Sequence, residues 1–223
     1  MLLAVDTSTR NVGIAVYDGI QVLSEATWAS HDFHTVELAP AIAETLARAG
    51  KQIGDITLLA VATGPGSFTG LRIGMAVAKG IALANHLPII GIPTLNIVAE
   101  SQPTSAGIPL AAVIQAGRGR LAVGWYAVID GQWQLKPPIE IMDALKLTRL
   151  IDEPTLVCGE LSEEQQRTLA RKYKNVILAS PAHSLRRPSL LAELAWKRWQ
   201  SGEVDDPATL SPTYVNVGQP IPG

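Results

Sequence analysis

Three polar loops hold the residues best suited to chemistry. In the first, Asp6-Thr7-Ser8-Thr9-Arg10 sets a carboxylate, three hydroxyls and turn amides between two apolar runs. That set suits contact with a phosphate or with the water shell of Mg²⁺. Asp6, Thr7 and Ser8 are therefore candidate nucleotide-binding residues. Asp, Thr and Ser are also ordinary turn residues, and the same string reads as a polar hairpin. The second loop is Gln115-Ala116-Gly117-Arg118-Gly119-Arg120. Gln115 cannot bind Mg²⁺ as an anion or take up a proton. Its glycines either let amides approach an anion or simply make a flexible turn.

The third loop, Gly64-Pro65-Gly66-Ser67-Phe68-Thr69-Gly70-Leu71-Arg72, is the most specific string in the chain. Gly64 and Gly66 relieve a tight turn, and Ser67 or Thr69 can cap the helix that follows. Free amides at that helix start could bind an anion; Gly64, Pro65, Gly66 and Ser67 also suffice as a purely structural turn. The string lacks the Gly-Lys-Ser/Thr ending of a Walker loop. Gly66-Ser67-Phe68-Thr69-Gly70 is also not a Gly-x-Ser-x-Gly nucleophile elbow, because an extra residue intervenes between Ser67 and Gly70. His31, Asp32 and His34 lie close together without a further ligand set, and read as polar loop residues, not a metal site. Ser184-Leu185-Arg186-Arg187-Pro188 reads as a small solvated basic patch within reach of a phosphate backbone.

The elements that must position these loops follow from periodicity. Leu2–Val5, Val12–Tyr17 and Gln21–Trp28 read as strands, with Asp18-Gly19 as a hairpin turn, giving a three-stranded meander. His34–Ala49 reads as a helix, with Leu38, Ile42 and Leu46 at four-residue spacing and Gly50 as its stop. Ile56–Ala62 reads as a buried strand, followed by a helix to about Asn85, a strand over Pro88–Ile92 and a helix over Thr94–Glu100. Further on, Asp143–Ile151, Ser162–Lys174 and Ser189–Gln200 read as helices, and Thr155–Cys158 and Asn175–Leu178 as strands. Ser162-Glu163-Glu164-Gln165 fits a capping box.

The second half echoes the first. Shifted by about 109 residues, Leu3-Ala4-Val5-Asp6 falls on Ala112-Val113-Ile114-Gln115, and Val12–Tyr17 falls on Leu121–Tyr126. Asp18-Gly19 then falls on Asp130-Gly131 after a short insertion. The expected architecture is α/β, with two duplicated lobes of the actin-like (ASKHA, ribonuclease H-like) kind. Each is a mixed β-sheet with flanking helices, as in actin, hexokinase and Hsp70. The boundary is placed at the Pro/Ser/Gly stretch near 102–107, giving lobes 1–102 and 103–223. In that architecture a nucleotide lies between the lobes, and an Asp at the end of the first strand serves the metal or its water.

The helix after the third loop carries two apolar faces. Gly70, Gly74, Ala78 and Ala82 form a small-residue stripe, which lets another element approach closely. Ile73, Val77 and Ile81 lie on a different face. One face can meet the sheet, and the other needs a cover. Leu38, Ile42, Leu46, Gly70, Ile73, Gly74, Val77, Ala78 and Ile81 are the candidate partner surface, with Gly74→Leu or Val77→Glu expected to give a folded monomer.

Composition narrows the class. Hydrophobic residues make up 47% and charged residues 17%, which fits a globular protein. The net charge of −2 and the absence of a Lys/Arg run speak against tight autonomous nucleic-acid binding. One cysteine, Cys158, excludes an internal disulfide and fits a reducing cytoplasm. The start of the chain does not read as a signal peptide, and no run reads as a membrane span.

The string Gly64 to Gly74, together with Leu3-Ala4-Val5-Asp6-Thr7-Ser8, resembles the bacterial TsaB (YeaZ) family. The resemblance is strong over residues 1–100 and looser afterwards. It implies an actin-like paralogue of TsaD, the subunit that moves a threonylcarbamoyl group onto an adenosine beside the tRNA anticodon. By resemblance the chain is a non-catalytic scaffold that pairs with TsaD through its first two helices. A TsaE-like ATPase docks on that pair, the chain forms a homodimer when alone, and tRNA is met only through the complex. No cofactor is required, with room for weak ATP or ADP binding, and the expected location is cytoplasmic. The family's older glycoprotease label is set aside.

Two departures bear on this. TsaD-like enzymes hold a metal with a His-x-x-x-His pair, which maps to Thr94 and Val98. Relatives usually carry Asp-Ala-Arg where this chain has Gln115-Ala116-Gly117. The competing reading is an actin-like kinase or ATPase that uses Asp6, with a metalloprotease a distant third.

Overall fold

A computed structural model describes residues 1–30, 34–104, 107–172 and 174–215. His31 and Asp32 lie outside the described residues. The strands are β1 (Leu2–Asp6), β2 (Asn11–Tyr17), β3 (Val22–Ala29), β4 (Leu58–Gly64), β5 (Ile89–Pro93), β6 (Leu110–Gln115), β7 (Leu121–Ile129), β8 (Gln132–Met142), β9 (Thr155–Gly159) and β10 (Val176–Leu178). The helices are α1 (His34–Arg48), α2 (Phe68–Asn85), α3 (Thr94–Glu100), α4 (Ala144–Leu150), α5 (Glu163–Ala170), α6 (Pro181–Ser184) and α7 (Pro188–Gln200).

Two five-stranded sheets result, ordered β3-β2-β1-β4-β5 and β10-β9-β6-β7-β8. Read from the other edge, the second order is the first repeated. In each, an antiparallel meander continues into parallel strands. The repeat extends to details outside the 109-residue shift. β4 ends at Gly64 with φ +109°, and β9 ends at Gly159 with φ +115°. Both positions suit a residue without Cβ. Three residues on, Ser67 caps α2 and Ser162 caps α5, each accepting a hydrogen bond from a backbone N–H of the first turn. The capping box over Ser162 and Gln165 is present.

β1 reads as an unbroken apolar run because both of its faces are covered. Leu3 and Val5 face α1 and α2. Leu2 and Ala4 face Leu191, Ala192 and Ala195 of α7. The last helix among the described residues thus returns to the first sheet. In exchange α3 sets Leu95, Val98 and Ala99 against the second sheet.

Three expectations need correction. β8 was missed because Pro137 and Pro138 break the strand pattern; it is an edge strand whose pairing with β7 is irregular at that point. The helix expected over Ser162–Lys174 ends at Ala170, since the chain must turn back into β10 through the Asn175 to Lys172 backbone bond. The third concerns the partner surface. Leu38, Ile42 and Leu46 are buried in the first core, as are Gly70, Gly74 and Ala78. The small-residue stripe admits the β1–β2 loop, not another chain: a Cβ on Gly74 would collide with the Thr7 hydroxyl, and one on Gly70 with the Thr7 carbonyl. Gly74→Leu would therefore damage the fold itself. Ile73, Val77 and Ile81 stay half-buried at the edge of the outward face.

Candidate functional site

A cleft of about 650 Å³ opens where the central strands of the two sheets end. Thr9 and Arg10 of the β1–β2 loop and Gly66, Ser67 and Phe68 at the start of α2 wall one side. Gln115, Ala116 and Gly117 of the β6–β7 loop wall the other. Glu160, just after β9, and Tyr214 also line it.

The candidate phosphate loop lies beneath this cleft. Asp6, Thr7 and Ser8 are buried. Asp6 Oδ1 accepts from the Ser8 backbone N–H at 2.9 Å and from the Ser8 hydroxyl at 2.6 Å. Asp6 Oδ2 is ion-paired with Nε of Arg186. The Thr7 hydroxyl donates to the Gly70 carbonyl at 2.7 Å. The sequence reading that gave these three side chains to a phosphate or metal is corrected: their hydrogen-bonding groups are committed inside the protein.

Arg186, which reads from the sequence as part of a solvated patch, instead centres the buried network beneath the cleft. Its side chain is buried, and its other nitrogens reach Glu160 Oε1 at 2.7 Å, Thr9 Oγ1 at 3.0 Å and the Asn11 carbonyl at 2.8 Å. Burying a guanidinium is costly unless it is paired and fully hydrogen-bonded. Burial alone would push its pKa down, but the charges of Asp6 and Glu160 outweigh that and hold it above its ordinary value. Glu160 also accepts from the Thr9 hydroxyl at 2.6 Å. One guanidinium therefore joins the end of β1 to the end of β9, across the two sheets.

The neighbouring Arg187 pairs with Glu25, which also accepts from the Ser189 hydroxyl at 2.7 Å. Within Ser184–Pro188, Arg187 and Leu185 thus stay exposed as the solvated reading expects, while Arg186 is interior. No local pattern announces it, because the partners of Arg186 lie up to 180 residues away.

The second-lobe loop is also tied inward. Gln115 Nε2 donates to the Glu160 carbonyl at 3.0 Å and to Gln165 Oε1 at 2.7 Å. Thr94 and Val98 are both buried, and the Thr94 hydroxyl accepts from the Gly64 N–H at 3.1 Å. Among the described residues, no group of three or more His, Cys, Asp or Glu side chains is placed to hold a metal ion. The structural turn at Gly64, Pro65, Gly66 and Ser67 joins β4 to α2, and the Ser67 N–H donates to the Ser8 carbonyl at 2.6 Å.

Among the described residues the cleft has one acidic lining residue, Glu160, which shares the Arg186 guanidinium with Asp6. Arg10 lines the same space. At its rim the rings of Phe68 and Tyr214 pack at a 33° tilt with centroids 5.1 Å apart, and the Arg72 guanidinium lies 5.1 Å from the Phe68 centroid. Such a site can hold a planar or anionic group; the carboxylate among its described lining residues, Glu160, is ion-paired.

A tRNA threonylcarbamoyladenosine biosynthesis protein TsaB of Bacillus subtilis is 28% identical over 222 residues, covering 98% of this chain and 95% of that one. The solved structure of YeaZ from Pseudomonas aeruginosa matches with a TM-score of 0.79 at 24% identity, over 96% of this chain and 99% of that one, which speaks to the fold. A ROK hexokinase from Thermus thermophilus matches with a TM-score of 0.50 at 14% identity, over 90% of this chain and 99% of that one, which places the fold in the actin-like class. The family model described as TsaD, tRNA N6-adenosine threonylcarbamoyltransferase, matches residues 21–175. On that match, which spans well over half of the sequence, the chain belongs to the TsaD family and stands on its TsaB (YeaZ) side.

Proposed function

We propose that this chain is a non-catalytic partner subunit in forming N6-threonylcarbamoyladenosine in tRNA, and that it binds and supports a TsaD-type catalytic subunit. The observation that carries this reading is Arg186 seated on Asp6. The one acid at the end of the first strand is neutralised internally, so the chain needs a partner to do chemistry. The kinase or ATPase reading is not favoured for the same reason. No cofactor is required, and any ATP or ADP binding in the cleft is weak.

The partner surface is the outward face of α1 and α2. Val36 (68% exposed) and Leu83 (64% exposed) stand on it, with Ala39, Ala43, Ala47, Ala76 and Ala84 between them. Ile73, Val77 and Ile81 border it. Small side chains let helices approach closely, and an apolar patch of this kind suits a protein partner. Alone, the chain pairs with a second copy through this face, and a TsaE-type ATPase docks on the complex with the catalytic subunit. The complex works in the cytoplasm.

Co-elution in size-exclusion chromatography tests the reading. The wild-type chain is expected to join a TsaD-type subunit at micromolar concentration. Val77→Glu and Leu83→Glu should remain folded and elute alone, because a desolvated, unpaired carboxylate costs several kcal/mol. No complex with the wild-type chain would count decisively against the proposal.

A further inference from the structure

We infer that the rim of the inter-lobe cleft, built from Phe68, Tyr214, Arg72 and Arg10, takes an unpaired nucleotide of the tRNA substrate. This rests on the proposed role in tRNA modification and names a contact made by this chain itself. Phe68 is 56% exposed and Tyr214 45% exposed, yet their rings pack on each other at a tilt of 33°. Neither ring fills a core. Tyr214 is held in place, since its neighbour Thr213 donates a backbone hydrogen bond to the Thr63 carbonyl at 2.7 Å. The result is a fixed, open aromatic platform contributed by two distant parts of the chain.

Charge complementarity selects the occupant. Arg72 lies against the platform and Arg10 lines the cleft beside it. The acid of the lining, Glu160, shares the single Arg186 cation with the buried Asp6, and the two exposed arginines outweigh the one negative charge that remains. Exposed aromatic faces beside arginines are how single-stranded nucleic acid is held: bases stack and phosphates meet the cations. The arginines are far apart in sequence, so no basic run announces them. Their small number suits a contact that adds to a larger complex and does not bind RNA tightly alone.

The test uses the chain in complex with its catalytic subunit and a fluorescent anticodon stem-loop RNA, read by anisotropy over a salt series. The Phe68→Ala/Tyr214→Ala double variant should bind roughly tenfold more weakly with an unchanged salt slope. Arg10→Ala and Arg72→Gln should each lower the slope of log K against log salt by about 0.7. All of these positions are exposed, and each variant should still co-elute with the catalytic subunit. Unchanged RNA affinity and slope in an intact complex would overturn the inference. So would full displacement of the RNA by ATP, which would mark a free-nucleotide site, or loss of the protein complex itself, which would mark a protein contact. If the wild-type chain fails to join the catalytic subunit, the assembly reading fails separately. Photocrosslinking of 4-thiouridine stem-loop RNA to the chain alone then decides: adducts at Phe68 or Tyr214 support the inference, and their absence overturns it.

Discussion

Asp6 and Arg186 lie 180 positions apart in the chain, and either would be costly to bury alone. Arg186→Met leaves Asp6 and Glu160 without their cation and should cost about 3–5 kcal/mol in urea unfolding. The Asp6→Leu/Arg186→Met double variant should lose less than the single change, since it removes both buried charges. A single variant within about 0.5 kcal/mol of wild type would show that the pair does not hold the lobes together. Glu25 gives a pH-dependent counterpart. Burial alone would raise its pKa, but hydrogen bonds from Arg187 and Ser189 and the Arg187 charge outweigh that and hold it below 4.5, its ordinary value. Its contribution is therefore present in full above the ordinary carboxylate range and lost as pH falls through the lower folded value. Glu25→Gln should flatten the stability–pH curve in that acid window and nowhere else. Cys158 is buried, and burial pushes its thiol up to about 12. It should resist iodoacetamide at pH 8 in the native protein and react on unfolding.

At the level of elements, α2 separates two kinds of glycine. Gly74 packs on Thr7, whereas a Cβ on Gly80 would meet open space. Gly80→Ala should raise helix stability by about 0.5–1 kcal/mol, and Gly74→Ala should lower the stability of the protein, both read by urea unfolding at low protein concentration. Equal effects would mean that the stripe does not face the sheet. The same helix shows what periodicity can and cannot tell. The four-residue spacing of Gly70, Gly74 and Ala78 was plain in the sequence and marked a close approach. Which neighbour approached was not, because a loop of the same chain and a helix of another chain impose the same small-residue demand. The meander, the Asp-Gly turns and the Ser162 box were legible because each is decided within a few residues. β8 was not, because its prolines are tolerated only at an irregular edge, which is a property of the finished sheet. Arg186 was invisible for the same reason: a buried guanidinium and a solvated one have the same local sequence.

The whole molecule is two copies of one topology tied together twice. α7 covers the first sheet and α3 reaches the second, while the Asp6–Arg186–Glu160 network joins the strand ends between them. A fragment of residues 1–102 should therefore fail to fold alone, since Leu2, Ala4 and Ala60 lose the helix that buries them; a cooperative thermal transition in that fragment would contradict this. The duplication leaves a cleft between the two sheets, and Arg186 is paired with the acid that ends the first strand beneath it. Reconstituted tRNA modification with a TsaD-type subunit examines this point most closely, comparing the wild-type chain with the Asp6→Leu/Arg186→Met variant. Threonylcarbamoyladenosine should form at a similar rate with both, because no step runs through Asp6. Loss of product while the variant still folds and co-elutes with the catalytic subunit would show that this carboxylate takes part in the chemistry after all.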